Sequence, residues 1–223
     1  MKAQFTEQLG QLEKLVIEMG SVVESQVNNV VTALLTHNSE LAQTVIKQDE
    51  TVDALEMQID EAVLNLLALH QPVAMDLRDI IGISKINGDL ERIGDHALNI
   101  AQSVLVINER NYRGIHAQIS KMADITREML KDAIDSFIHK DADQAIAVCR
   151  RDDTIDDINK FMFADVLAGM IKDPQSIPIS MEIIRISKNF ERMADLCTNI
   201  AEDVVFIRNA KSIKHQKELL QPK

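Results

Sequence analysis

The sequence predicts an all-α protein made of two tandem three-helix bundles related by internal duplication, and three observations carry that prediction. Only 7 Gly and 4 Pro interrupt 223 residues that are 46% hydrophobic and hold no Trp, a composition that suits long helices better than a turn-rich sheet. Apolar residues recur at spacings of three and four along most of the chain, the period of one helix face. A polar block also returns at a fixed offset: Glu91, Arg92, Asp95 and Asn99 reappear one hundred residues later as Glu191, Arg192, Asp195 and Asn199. Core packing dictates where apolar residues fall but does not dictate four polar identities twice, so the block marks a duplication.

The first helix is read from Leu9, Leu12, Val16, Met19, Val23, Val27, Val30 and Leu34. His37-Asn38-Ser39 breaks the pattern, and Ser39 with Glu40 offers a helix start before Leu41, Val45, Val52, Leu55, Ile59, Val63 and Leu66. This second helix ends near His70, where Pro72 forces a turn. A third runs through Leu77, Ile80, Ile83, Ile86, Leu90, Ile93, Ile100 and Val104, and residues 111–114 close the first half. The second half repeats the scheme, with helices over about 115–139, 141–171 and 177–207 and with Asp173-Pro174 in the role of Pro72. Ile183 and Ile186 echo Ile83 and Ile86. Asp49-Glu50-Thr51-Val52-Asp53 resembles Asp152-Asp153-Thr154-Ile155-Asp156 at an offset of 103, so the three-residue difference falls in the turn. The domains are therefore drawn at 1–112 and 113–223, the second with a short polar C-terminal tail.

Charge and cysteine content narrow the function. A net charge of −11 opposes a broad nucleic-acid footprint, which needs a basic stripe, and the only basic cluster is the tail at 208–217. The same charge is repelled by anionic bilayers, so membrane contact is expected only through partners. The most apolar stretch, 62–69, is too short to span a bilayer, and the N-terminus is polar, so neither export nor anchoring is expected. Cys149 and Cys197, the two cysteines, are too few for a disulfide framework and fit a reducing cytoplasm.

Spacing of the acidic residues points to a site. Asp49 with Asp53, Asp152 with Asp156, Glu91 with Asp95 and Glu191 with Asp195 are each four apart, on one helix face. Asp53 lies nineteen residues before Pro72 and Glu91 nineteen after it, while Asp49 and Asp95 lie twenty-three before and after. Asp156 with Glu191, and Asp152 with Asp195, are likewise centred between Asp173 and Pro174. In antiparallel hairpins each quartet meets at one level, roughly 30 Å from its turn. Facing carboxylates repel unless they are solvated, paired with bases or bridged by a cation. Oxygen ligands suit magnesium, calcium, manganese or ferric iron better than a structural zinc site, and Asn99 or Asn199, one turn on, offers a further carbonyl oxygen. The expected cofactor is a metal cation at each cluster, its identity left open among iron, zinc, manganese and magnesium. Arg92 and Arg192, each beside a carboxylate, are expected to pair locally. His96 has Leu196 as its counterpart and is no shared ligand, and His37, His70, His116, His139 and His215 read as turn or surface residues.

The string Asp89-Leu90-Glu91-Arg92-Ile93-Gly94-Asp95-His96-Ala97-Leu98-Asn99-Ile100-Ala101, preceded by Pro72, Ala74 and Asp76-Leu77-Arg78, resembles the signature of the PhoU family of phosphate-uptake regulators. Asn189-Phe190-Glu191-Arg192-Met193-Ala194-Asp195, continuing through Thr198-Asn199-Ile200-Ala201-Glu202, resembles the family's second repeat. Ala194 stands where glycine is usual and Leu196 where histidine or tyrosine is usual. The resemblance spans nearly the whole chain. It implies paired three-helix bundles, metal bound at the acidic motifs as in some members, and a negative regulator of phosphate uptake and of the phosphate-starvation response. It also implies partners: the ATPase of the phosphate ABC transporter, a phosphate-sensing histidine kinase and a second copy in a homodimer. Two other classes compete with that reading. A carboxylate-bridged di-metal enzyme wants Glu-x-x-His on its helices, and no histidine here has a Glu three residues before it. A helical adaptor without metal would need no acidic quartets. No Ser-His-Asp set, phosphate-cradling glycine loop or redox cysteine pair suggests catalysis, so no enzyme is expected.

Overall fold

Helix punctuation follows the sequence closely in the computed structural model, which describes residues 2–114 and 116–214. Helix α1 spans Lys2–Thr36, α2 Ser39–His70 and α3 Ala74–Glu109. The second half holds α4 (Ala117–His139), α5 (Ala142–Cys149), α6 (Asp152–Lys172), a 3-10 turn at Pro174–Ser176 and α7 (Ile177–Asn209). Ile115, His215 and Lys217, the ends assigned above to a helix, a surface histidine and a basic tail, lie outside the described residues.

Two boundaries differ from the sequence reading. Asn38, not Ser39, caps α2: its Oδ1 accepts from the Leu41 backbone N–H at 3.0 Å, which satisfies one of the free donors of the first turn. The helix expected over 141–171 is broken at Arg150 and Arg151. There the Arg151 N–H reaches Val148 O and the Thr154 N–H reaches Arg151 O, i to i−3 bonds that tighten the turn and re-aim the axis. The Arg151 guanidinium is tied to the Asp132 carboxylate on α4.

The apolar pattern crosses that break without losing phase. Ala42, Val45, Val52, Leu55, Ile59 and Val63 are buried in α2, and Ala145, Val148, Ile155, Ile158, Met162 and Val166, at the offset of 103, are buried in α5 and α6. On the third helices, Ile83, Ile86, Leu90, Ile93, Ala97 and Ile100 are buried, as are Ile183, Ile186, Phe190, Met193, Cys197 and Ile200 one hundred residues on. The repeat therefore extends from sequence to packing. Each half is a bundle of its own three strands of helix, and the halves join mainly through α3 against α7, with α1 also touching α4. The two central helices run antiparallel, since Arg78 Nε donates to Ile207 O while Arg185 Nη2 donates to Asn99 Oδ1.

The halves differ at their hairpin tips. With 35 residues, α1 is long enough to reach the α2–α3 tip, where Phe5 packs edge-on against His70 at 5.3 Å. Helix α4 has 23 residues, and both tips leave apolar side chains exposed, Leu69, Val73 and Met75 at the first and Phe161, Phe163, Ile171 and Met181 near the α6–α7 tip. Among the described residues no helix is long and apolar enough to cross a membrane.

Candidate functional site

The α2–α3 hairpin brings the first quartet together at the level its spacing predicts. A Cβ on Gly94 would stand 3.7 Å from Asp49 Oδ1 and 3.1 Å from Gln26 Oε1, so the absent side chain lets α3 approach α1 and α2 beside the acids. Asp49 is raised above the ordinary carboxylate range by burial, then by Asp53 and Asp95, with the Gln26 amide pulling the other way. Glu91 is raised by burial, then by Asp95, Glu56 and Asp53. The sequence reading missed Glu56, which is itself raised by burial and then by Asp60, Asp53 and Asp95. The spacing 49, 53, 56 puts these three acids of α2 on one face, a signal that was available in the sequence.

The second quartet meets in the same way. Asp195 is pushed up to about 6 by burial, then by Asp152, Glu191 and Asp156, with Lys188 opposing. Two lysines temper this cluster: Lys188 Nζ lies 2.5 Å from Glu191 Oε1, and Lys160 Nζ 3.9 Å from Asp156 Oδ2. Their counterparts in the first half are Gly88 and Met57, and the counterpart of Glu56 is Asn159. The first cluster thus holds five carboxylates without a lysine, and the second four carboxylates with two. The break before α6 has a local consequence as well. It places Asp152 in the first turn of a helix, where the positive end of the helix dipole favours a carboxylate.

The chemistry of both clusters suits an oxygen-seeking cation. The cluster donors are carboxylate oxygens, burial and then neighbouring carboxylates raise Asp49, Glu56, Glu91 and Asp195, and Glu191 Oε2 is buried with no hydrogen-bond partner. Gln26 Oε1 and Gln48 Oε1 are also buried without partners. Among the described residues no three His, Cys, Asp or Glu side chains are placed as a set that could hold a metal ion. The acids are neighbours rather than a closed coordination shell. Asn99 and Asn199 face elsewhere: Asn99 Oδ1 accepts from Arg185 Nη2 at 3.0 Å, and Asn199 hydrogen-bonds Asp89. A residue four positions on is rotated about 40° around the helix, which turns both asparagines toward the α3–α7 contact.

The remaining polar residues fall mostly as read. Arg92 pairs locally with Asp89 at 3.7 Å, whereas Arg192 has no carboxylate within 4.0 Å among the described residues. His96 Nδ1 lies 2.9 Å from Asn189 Oδ1, and burial holds its imidazole toward the neutral form. His37 sits in a turn with φ 53°, His116 caps α4, and His139 closes it. His70 is half-buried and lies 2.6 Å from Gln8 Oε1. Cys149 and Cys197 are free and buried, and burial drives both thiols up, Cys149 to about 12, so neither is a ready thiolate.

Known proteins resemble this chain along its length. The family model for the PhoU domain matches residues 16–104 and again 119–204. A phosphate-specific transport system accessory protein PhoU homolog of Pseudomonas putida is 38% identical over 214 residues, covering 95% of this chain and 83% of that one. The crystal structure of PhoU from Pseudomonas aeruginosa superposes with a TM-score of 0.91 at 35% identity, over 93% of this chain and all of that chain. That of the phosphate transport system regulatory protein PhoU from Streptococcus pneumoniae superposes with a TM-score of 0.86 at 30% identity, over 94% and 99%.

Proposed function

Because the chain belongs to the PhoU domain family, we propose that it is a cytoplasmic accessory regulator of phosphate uptake, one that damps the phosphate-starvation response through protein contacts rather than catalysis. The observation that carries this reading is similarity at 30% identity or more, over nearly the full length of both chains, to proteins named as accessory to or regulatory of phosphate transport. Its contacts would be with the transporter ATPase, the phosphate-sensing kinase and a second copy of itself. The exposed aromatic and aliphatic side chains near the α6–α7 tip are the kind of surface such contacts use.

Metal belongs to this proposal. Asp49, Asp53, Glu56, Glu91 and Asp95 would hold one cation, and Asp152, Asp156, Glu191 and Asp195 another. A bound cation would supply positive charge that offsets the repulsion within each cluster. A metal-free adaptor is the second reading, favoured by the open placement of the acids. Deleting the gene is expected to derepress phosphate-starvation genes in phosphate-rich medium, with restoration by the wild-type copy. Unchanged expression on deletion would reject the regulatory role.

A further inference from the structure

The α3–α7 crossing has two flanks related by the duplication, and they differ in charge. On the first, Lys85 Nζ lies 3.3 Å from Asp203 Oδ1 and Arg92 Nη1 3.7 Å from Asp89 Oδ1. The residues one hundred positions away form the second flank: Arg185 in place of Lys85, Arg192 of Arg92, Asn189 of Asp89 and Ser103 of Asp203. The cations persist and both carboxylates have become neutral. Lys188, where the first flank has Gly88, adds a third cation.

These cations line an open groove of ≈ 520 Å³ together with His96, Asn99, Glu182 and Asn189. Arg192 has no ionic partner within 4.0 Å among the described residues. Arg185 Nη2 donates to neutral acceptors, Asn99 Oδ1 and Gln102 Oε1, each at 3.0 Å. Its Nη1 is 3.9 Å from Glu182 Oε2, beyond hydrogen-bond reach. Lys188 is shared with Glu191. The floor is fixed and uncharged: Asn189 Nδ2 donates to Arg185 O at 2.7 Å and its Oδ1 meets His96. Ser103, the neutral counterpart of Asp203, is fully buried behind the lining residues rather than among them. Three cations thus line the groove against one lining carboxylate, Glu182, and the Glu191 that pairs Lys188 from beside it, which leaves Arg192 as the cation with no carboxylate partner among the described residues.

We propose that this flank binds an oxyanion, inorganic phosphate or the phosphoryl group of a phosphate monoester, in place of the carboxylates that its sister flank carries covalently. Guanidinium groups present paired N–H donors that match the oxygens of such anions, and the groove has room for a group larger than the free ion. The inference stands on the duplication and the groove, not on the regulatory role, and either can fail without the other.

Equilibrium dialysis of the full chain against labelled inorganic phosphate and labelled glycerol 3-phosphate tests it, in chelator-containing buffer so that phosphate bridged by metal is not counted. Wild type should take up one equivalent saturably. Arg192→Gln, at an exposed position, should weaken uptake by on the order of tenfold. Asn189→Asp should weaken it at least as much, because it gives Arg192 the partner that Arg92 already has, while thermal melting shows both variants folded. Uptake of both probes, or of the monoester alone, supports the site and tells whether the free ion suffices. No saturable uptake of either probe up to about 10 mM, or uptake undiminished by Arg192→Gln, overturns it.

Discussion

Asp89 is the residue at which burial and charge conflict most openly. It is 7% exposed, and its carboxyl is pushed up to about 6 by burial and then by Asp203, against the pull of Arg92, Lys214 and Asn199. A folded value above the free value of 3.8 means that the ionised form strains the fold. That strain is absent well below 3.8, builds up between about pH 4 and pH 6, and is fully present above 6. The duplication has already placed the neutral isostere, Asn189, at the equivalent position. Asp89→Asn is therefore expected to stabilise the protein by about 1–3 kcal/mol at pH 7.5 and to leave it unchanged at pH 4, measured by urea unfolding at both values. A gain that is the same at both values would remove the carboxylate as its cause. At this scale the eight quartet acids were legible because fixed spacing fixes a helix face. The rotation of Asn99 and Asn199 toward the helix crossing was not, because nothing local in the sequence says which neighbour a helix flank meets.

The helices were legible where a cap or turn residue marks an end, and illegible where the chain bends without one. No Gly or Pro lies near Arg150 and Arg151, and the apolar phase runs through the break, so neither of the usual signs was present. What sets the bend is tertiary: Arg151 reaches across to Asp132 on α4. The bend creates α5, which has only 8 residues and is too short to stand without packing and capping. Its cap is Asp141, whose Oδ1 accepts from the N–H groups of Asp143 at 2.9 Å and Gln144 at 3.0 Å. Asp141→Ala should cost about 1 kcal/mol and Asp141→Asn close to nothing, since asparagine caps as well as aspartate. Equal losses in chemical denaturation for the two variants would show that the charge of Asp141, not its capping, is what matters.

Across the whole molecule, the duplication supplies two copies of one architecture that have diverged in charge. Sequence spacing announced both clusters but weighed them alike, because the lysines that temper the second come from neighbouring faces that spacing does not compare. Five carboxylates with no lysine confront four with two. If cations occupy these clusters, the first must hold its ion more tightly, since every added carboxylate strengthens attraction and every ammonium weakens it. A ligand that binds only the folded state stabilises it, by about 2.7 kcal/mol at one hundred times its Kd. Titration of chelator-stripped protein with manganese or magnesium should therefore show one tight and one weaker site, with the melting temperature rising as each fills. Glu91→Gln with Asp95→Asn should remove the tight site and spare the weak one. Glu56→Gln should bring the tight site down toward the weak one, because position 159 already holds Asn. Lys188→Gln should move the weak site up. Elemental analysis and calorimetry read all four outcomes, and wild-type protein that takes up no divalent or ferric ion would leave the acids as repelling helix faces and favour the metal-free adaptor.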